Sequence, residues 1–252
     1  MKLNLFVLAF FAAAFLLSGC QKLPDQWYLA GEKAEKDNNL GDAKNAYQKA
    51  CDGKFVPGCV KLGEIAHNQN DKPTAMAAFQ RACELGMPRG CLYVGNFEGD
   101  DLKSKAWLLK ACEGQEFEAC YLLGRKEQKD KNIDKAIEYL GQACRKWEAK
   151  ACLHAGSIEQ KRNNIKEAKS WYKIGCEKGH NQMCIVLGTL EEDPAKAGEY
   201  FKIACDKKEW EGCRRLAQIH REQGNNEQAK LYYDRACKNN DAPSCDELKK
   251  IK

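Results

Sequence analysis

Residues 51–59 read CDGKFVPGC, placing Cys51 and Cys59 eight positions apart on either side of Gly53, Pro57 and Gly58. The spacing recurs at Cys83/Cys91, Cys112/Cys120, Cys144/Cys152, Cys176/Cys184, Cys205/Cys213 and Cys237/Cys245. Successive pairs begin 32, 29, 32, 32, 29 and 32 residues apart. A period of this length marks a stack of repeats, each of which buries its apolar face against its neighbours.

Each unit reads as two helices. Before the first cysteine of a pair stands a block such as Ala43-x-x-Ala46-Tyr47-x-x-Ala50-Cys51, matched by Ala75-x-x-Ala78-Phe79-x-x-Ala82-Cys83 and Ala229-x-x-Tyr232-Tyr233-x-x-Ala236-Cys237. Small and aromatic residues at i, i+3, i+4 and i+7 form one helical face; this is helix B. After the second cysteine come Leu62-Gly63, Val94-Gly95, Leu123-Gly124, Ala155-Gly156 and Leu187-Gly188 on a helix A. Glycine costs a helix interior about 1 kcal/mol against alanine, so its recurrence predicts close contact with a neighbouring helix. Polar turns such as Asp37-Asn-Asn-Leu-Gly-Asp join helix A to the next helix B, and the two short intervals are expected to lose their three residues there.

The pattern A-x-x-[YFWL]-x-x-A-C-x7-C-x-x-L-G resembles the cysteine-rich branch of the Sel1-like repeats, cousins of the tetratricopeptide repeat that include the Helicobacter cysteine-rich proteins. The match runs from about residue 24 to the C-terminus. The expected fold is all-α: a right-handed α/α solenoid of about seven disulfide-stapled helix pairs over residues 26–252, closed by a short polar capping helix at Cys245-Asp-Glu-Leu248.

Within one continuous helix, residues eight apart lie about 12 Å apart along the axis. Disulfide Cα atoms are about 4.4–6.8 Å apart, so pairing inside C-x7-C requires a break and a chain reversal. Gly53, Gly86, Gly114, Gly179, Asn239 and Asn240 are the expected stops, with Pro57, Pro88 and Pro243 as further breakers. The loops after Cys144 and Cys205 break less clearly and are assigned by analogy with the other repeats. Pairing across the hairpins, Cys59 with Cys83, would strand Cys51 and Cys245, because the helix A counterpart upstream is Trp27. Seven local disulfides leave no cysteine of the array over.

The first residues carry Lys2 and an almost unbroken apolar run from Leu3 to Leu17, with the character of a signal-peptide core. Leu17-Ser18-Gly19-Cys20 resembles the lipobox of bacterial lipoproteins, which implies a leader over residues 1–19, a lipidated Cys20, and a short tether over 20–25. Gln21, in place of aspartate, implies sorting to the outer membrane, with the array facing the periplasm or the cell surface. Several acyl chains on one cysteine anchor more firmly than one marginal chain. An oxidising compartment suits the disulfides.

Removing Lys2 with the leader brings the formal charge from +5 to +4, with both signs interspersed, and gives no reason to expect nucleic acid as a partner. Stacked helix pairs offer a long surface lined by helix A. The expected function is therefore a membrane-anchored scaffold that binds a peptide, a peptidoglycan fragment or an envelope protein. Its candidate contacts are Lys61, Tyr93, His154 and Arg215, with Arg214, Arg215 and His220 forming a basic patch suited to an acidic ligand. The family resemblance implies an alternative, penicillin binding or weak β-lactamase activity. Ser170-Trp-Tyr-Lys173 has the S-x-x-K spacing, which makes Ser170 and Lys173 the catalytic candidates, but no S-D-N or K-T-G accompanies it. No metal or cofactor is assigned: the four histidines join no cysteine cluster, and C-x7-C lacks the C-x-x-C form of reactive dithiols.

Overall fold

The computed structural model describes residues 22–146 and 148–251; the proposed leader, Cys20 and Gln21 lie outside the described residues. Every element among the described residues is helical, and the chain divides after Glu116 into two compact units.

In the first unit, α1 (Pro24–Lys36), α3 (Val56–Asn68) and α5 (Pro88–Phe97) are A helices. They alternate with the B helices α2 (Leu40–Asp52), α4 (Lys72–Glu84) and α6 (Asp101–Glu113). The second unit continues the alternation. Its A helices are α7 (Phe117–Lys129), α9 (Ala149–Lys161), α11 (Asn181–Leu190), α13 (Trp210–Glu222) and α15 (Ala242–Lys250). Its B helices are α8 (Ile133–Lys146), α10 (Ile165–Glu177), α12 (Pro194–Asp206) and α14 (Asn226–Lys238). Within each unit, helices pack on those next to them in sequence, as in a solenoid. No helix of the described residues is long and apolar enough to cross a membrane.

The bends between B and A are closed as the spacing predicts. Cys51–Cys59 and Cys83–Cys91 in the first unit have Cα atoms 4.5 and 4.8 Å apart. Cys144–Cys152, Cys176–Cys184, Cys205–Cys213 and Cys237–Cys245 in the second lie at 4.5–4.8 Å. Cys112 and Cys120 are disulfide-bonded as well.

Gly86 (φ 89°), Gly179 (φ 86°) and Asn240 (φ 66°) turn the chain in the left-handed conformation as expected, while two other expected stops do not. Gly53 and Gly114 have ordinary φ values of −72° and −75°. The left-handed residue is the next one, Lys54 (φ 63°) or Gln115 (φ 68°), and Lys208 and Asn240 take the same role. Gly53 supplies room instead: a Cβ there would sit 2.5 Å from the Pro24 ring, and one at Gly114 would sit 2.4 Å from Pro88. The prolines are not breakers but first-turn residues of A helices, where a missing N–H costs nothing.

The short intervals also differ. Three residues separate α3 from α4, α5 from α6, and α11 from α12 alike. The loss falls on helix A itself, ten residues in α5 and α11 against thirteen in α3. Removing close to one helical turn keeps the remaining side chains on their faces, whereas shortening a three-residue turn would leave nothing to reverse the chain. The side chains of Asn39, Asp71, Asp100, Asp193 and Asn225 cap the following B helices by accepting a backbone N–H.

The helix A glycines meet their expected role, with specific partners. A Cβ on Gly31, Gly63 or Gly156 would lie 2.5–2.6 Å from the ring of Tyr47, Phe79 or Tyr172 on the next B helix. The equivalent distances are 2.9 Å from Gly95 to Leu108, 2.8 Å from Gly124 to Leu140 and 2.8 Å from Gly188 to Phe201. Each bulky B residue thus rests on the bare backbone of its own hairpin.

Candidate functional site

With the bulk of α2 and α4 seated on Gly31 and Gly63, the outward side chains of α1, α3 and α5 frame two adjoining hollows in the first unit. The first, about 520 Å³, lies between Tyr28 of α1, the first two turns of α3 (Val56, Pro57, Val60, Lys61, Glu64) and the bend Leu85–Pro88. Its walls are apolar except for Lys61 and Glu64. The second, about 400 Å³, is framed by Glu64, His67 and Asn68 of α3, Phe79 of α4, and Tyr93, Asn96 and Phe97 of α5. Glu64 borders both.

Aromatic packing shapes the walls. Tyr28 lies 5.5 Å from Tyr47 and 5.4 Å from Phe55, centroid to centroid. Phe79 holds Tyr93 at 4.4 Å and Phe97 at 6.0 Å, and His67 sits 4.9 Å from Phe97. Carboxylates dominate the electrostatics. Burial pushes the Tyr28 hydroxyl pKa up, and a hydrogen bond to Glu32 with the charges of Glu32, Glu35 and Glu64 pushes it further. Lys61 answers them, with Nζ 3.6 Å from Glu35 and 3.8 Å from Glu64.

Of the residues singled out from sequence, Lys61 and Tyr93 line these hollows, one in each. Tyr93 also packs on the buried cluster around Phe79 and Val94. His154 lies on α9 in the second unit, where its Nε2 is 3.2 Å from the Tyr121 hydroxyl. Burial lowers its pKa, and the charges of Arg125 and Lys150 lower it further. Arg214, Arg215 and His220 share α13 but reach different neighbours. Arg214 stands 3.8 Å from the buried Asp241, Arg215 stands 3.6 Å from Glu211, and His220 stacks on Tyr232 at 5.5 Å. At 100° per residue along a helix, adjacent positions cannot share a face, so the structure spreads these three over separate contacts.

Ser170 and Lys173 lie on α10. The Ser170 hydroxyl donates to the Lys166 carbonyl (3.1 Å), while the Lys173 ammonium is 4.0 Å from Glu177. The serine is therefore engaged with its own helix and the lysine with a carboxylate one turn on. Among the described residues, no group of three or more His, Cys, Asp or Glu side chains could hold a metal.

Sequence reasoning missed Tyr28, Val60, Glu64, His67, Met87 and Phe97. They are spread over three A helices and the bend before Pro88, so no local sequence signal groups them.

A repeated lock in the hairpins yields one testable exception. The Tyr47 hydroxyl donates to Glu35 (2.5 Å) and the Tyr172 hydroxyl to Gln160 (2.9 Å), each acceptor twelve residues upstream. The same offset from Tyr233 gives Arg221, whose guanidinium pairs with Glu247. The buried Tyr233 hydroxyl has no partner. Arg221→Gln is expected to supply the acceptor and stabilise the protein by about 1 kcal/mol, since the exposed ion pair it gives up contributes little. A denaturant midpoint that stays put or falls would contradict this.

Comparison with known proteins fits this arrangement. Residues 89–115, 117–146, 149–180 and 184–208 match the Sel1 repeat, and residues 213–243 match a tetratricopeptide repeat. Most of these segments frame one A–B hairpin. No curated protein matches the chain by sequence. Among solved structures, the chain resembles a protective antigen present in uropathogenic Escherichia coli strains that displays an SLR fold (19% identity, TM-score 0.65, covering 89% of this chain and 56% of that one). It also resembles a Sel1 repeat protein from Oxalobacter formigenes (22%, TM-score 0.56, 70% and 84%). A third is a repeat-containing protein from Cytophaga hutchinsonii (13%, TM-score 0.58, 88% and 99%). The chain thus spans little more than half the length of the first, and at these identities the likeness is one of fold.

Proposed function

We propose that the chain, which carries four Sel1 repeats and a tetratricopeptide repeat in a fold that typically mediates protein–protein interaction, is a lipid-anchored scaffold of the bacterial envelope. Its docking surface is the helix A face of the first unit, and its occupant is a peptide or a protein segment. The pair of hollows bordered by Glu64 carries this reading. An apolar recess of this size with few polar groups suits a side chain from a protein better than a polar cell-wall glycan. The Leu17-Ser18-Gly19-Cys20 sequence supports the tether, through acylation of Cys20 and insertion in the outer membrane.

Placing a photo-crosslinking phenylalanine analogue at Val60 and irradiating cells is expected to give a covalent adduct with another protein. The same residue at the exposed Gln80 of α4 should give none. Equal adducts from both positions, or none from Val60, would remove the docking surface. The anchor is tested separately. Cys20→Ala is expected to abolish acyl labelling and release the protein from the membrane fraction, and unchanged labelling would end the lipoprotein assignment.

A further inference from the structure

The two hollows differ in chemistry, and the difference specifies an occupant. The first is walled by Tyr28, Val56, Val60, Leu85 and Met87, and suits a bulky aliphatic or aromatic side chain. The second offers the rings of Tyr93 and Phe97 beside the Glu64 carboxylate. Aromatic faces carry a negative quadrupole and attract ammonium or guanidinium groups within about 6 Å. A carboxylate at the rim adds a charge-assisted hydrogen bond. His67, the basic group of that lining, has its ring against Phe97. Around the first hollow, Glu32, Glu35 and Glu64 all act on Tyr28, against Lys61 alone among the lining cations. Of these carboxylates only Glu64 belongs to the linings, and it is the one carboxylate both hollows share; Lys61, 3.8 Å away, is its neighbour in the first.

Spacing follows from α3. Residues 56–64 border the first hollow and 64–68 the second, so their centres are offset by about seven residues, or roughly 10 Å along the helix. An extended chain covers that distance in about three residues at roughly 3.3 Å each.

We infer that the occupant is an extended peptide segment that sets a bulky apolar side chain in the first hollow and a lysine or arginine about three residues away in the second, with Glu64 as its counter-ion. The inference rests on the docking reading above and adds the partner's chemistry and register to it. Salt weakens such binding, because the rim charges are exposed.

Panning a random linear peptide library against the full-length protein tests it. The enriched pool is expected to combine a bulky apolar residue with Lys or Arg about three positions away. An enriched peptide should lose about tenfold in affinity to Glu64→Lys and a smaller factor to Glu64→Gln, with unchanged thermal unfolding of both variants. Val60→Trp, which fills the first hollow, should abolish capture. If the pool is acidic, or binds both Glu64 variants as tightly as the parent, the charge and register are wrong while docking survives. If nothing is enriched, or capture ignores Val60→Trp, the docking surface itself falls.

Discussion

Full reduction of the protein is expected to abolish its helical circular dichroism at room temperature, and removing one bridge is expected to lower stability by about 2.5 kcal/mol. Each bridge closes a sequence separation of only eight, and the entropy withdrawn from the unfolded chain by so short a loop is about that size in the chain-entropy model. Seven such constraints together exceed the 5–15 kcal/mol or so that holds an ordinary domain. The layers they pin are thin. The fully buried side chains are mostly alanines and cysteines, with one aromatic or leucine per B helix, so each hairpin alone buries too little to fix itself. Cys83→Ala with Cys91→Ala measures the single-bridge effect by denaturant unfolding. Titration of the denatured, unreduced chain should leave at most Cys20 reactive among fifteen cysteines. A reduced and alkylated chain that keeps its helix signal and a cooperative transition would refute the account.

Such a repeat is legible where one residue type does one job in every copy. C-x7-C dictated the bend, because only reversal brings residues eight apart within disulfide reach. The helix A glycines announced a close contact because glycine has no other reason to recur in a helix. What the sequence hid were choices shared among neighbours. Lys54 takes the left-handed position beside an available Gly53 because the glycine is needed where Pro24 packs. Pro57 looked like an interruption and is a helix start. The hollows were illegible for the same reason: Tyr28, Val60 and Met87 lie on three different elements, and no local pattern ties them together. Tyr93 was singled out as a contact residue, and it is both a wall of the second hollow and part of the packing around Phe79.

The contact between helix A and helix B is strong enough to reverse an ordinary rule. Glycine-to-alanine changes inside helices usually stabilise by about 1 kcal/mol. Gly198→Ala on α12 should do so, since its added Cβ meets nothing closer than Leu216 at 3.5 Å. Gly63→Ala should do the opposite. Its Cβ would fall 2.6–2.8 Å from three atoms of the Phe79 ring, which is 2% exposed and has Tyr93 and Phe97 against it. Overpacking of this kind costs about 1–3 kcal/mol, enough to outweigh the gain in helix propensity. Phe79→Ala alone removes the ring and should cost about 3–5 kcal/mol. In that background the collision is gone, so Gly63→Ala should become neutral or stabilising. The cycle therefore predicts a coupling of at least about 1 kcal/mol between the two positions. Additive effects would mean that the ring does not rest on the glycine. Because Phe79 also forms the floor of the second hollow, Gly63→Ala should weaken binding of a basic peptide there even where the protein stays folded, linking the packing of the hairpin to the surface it presents.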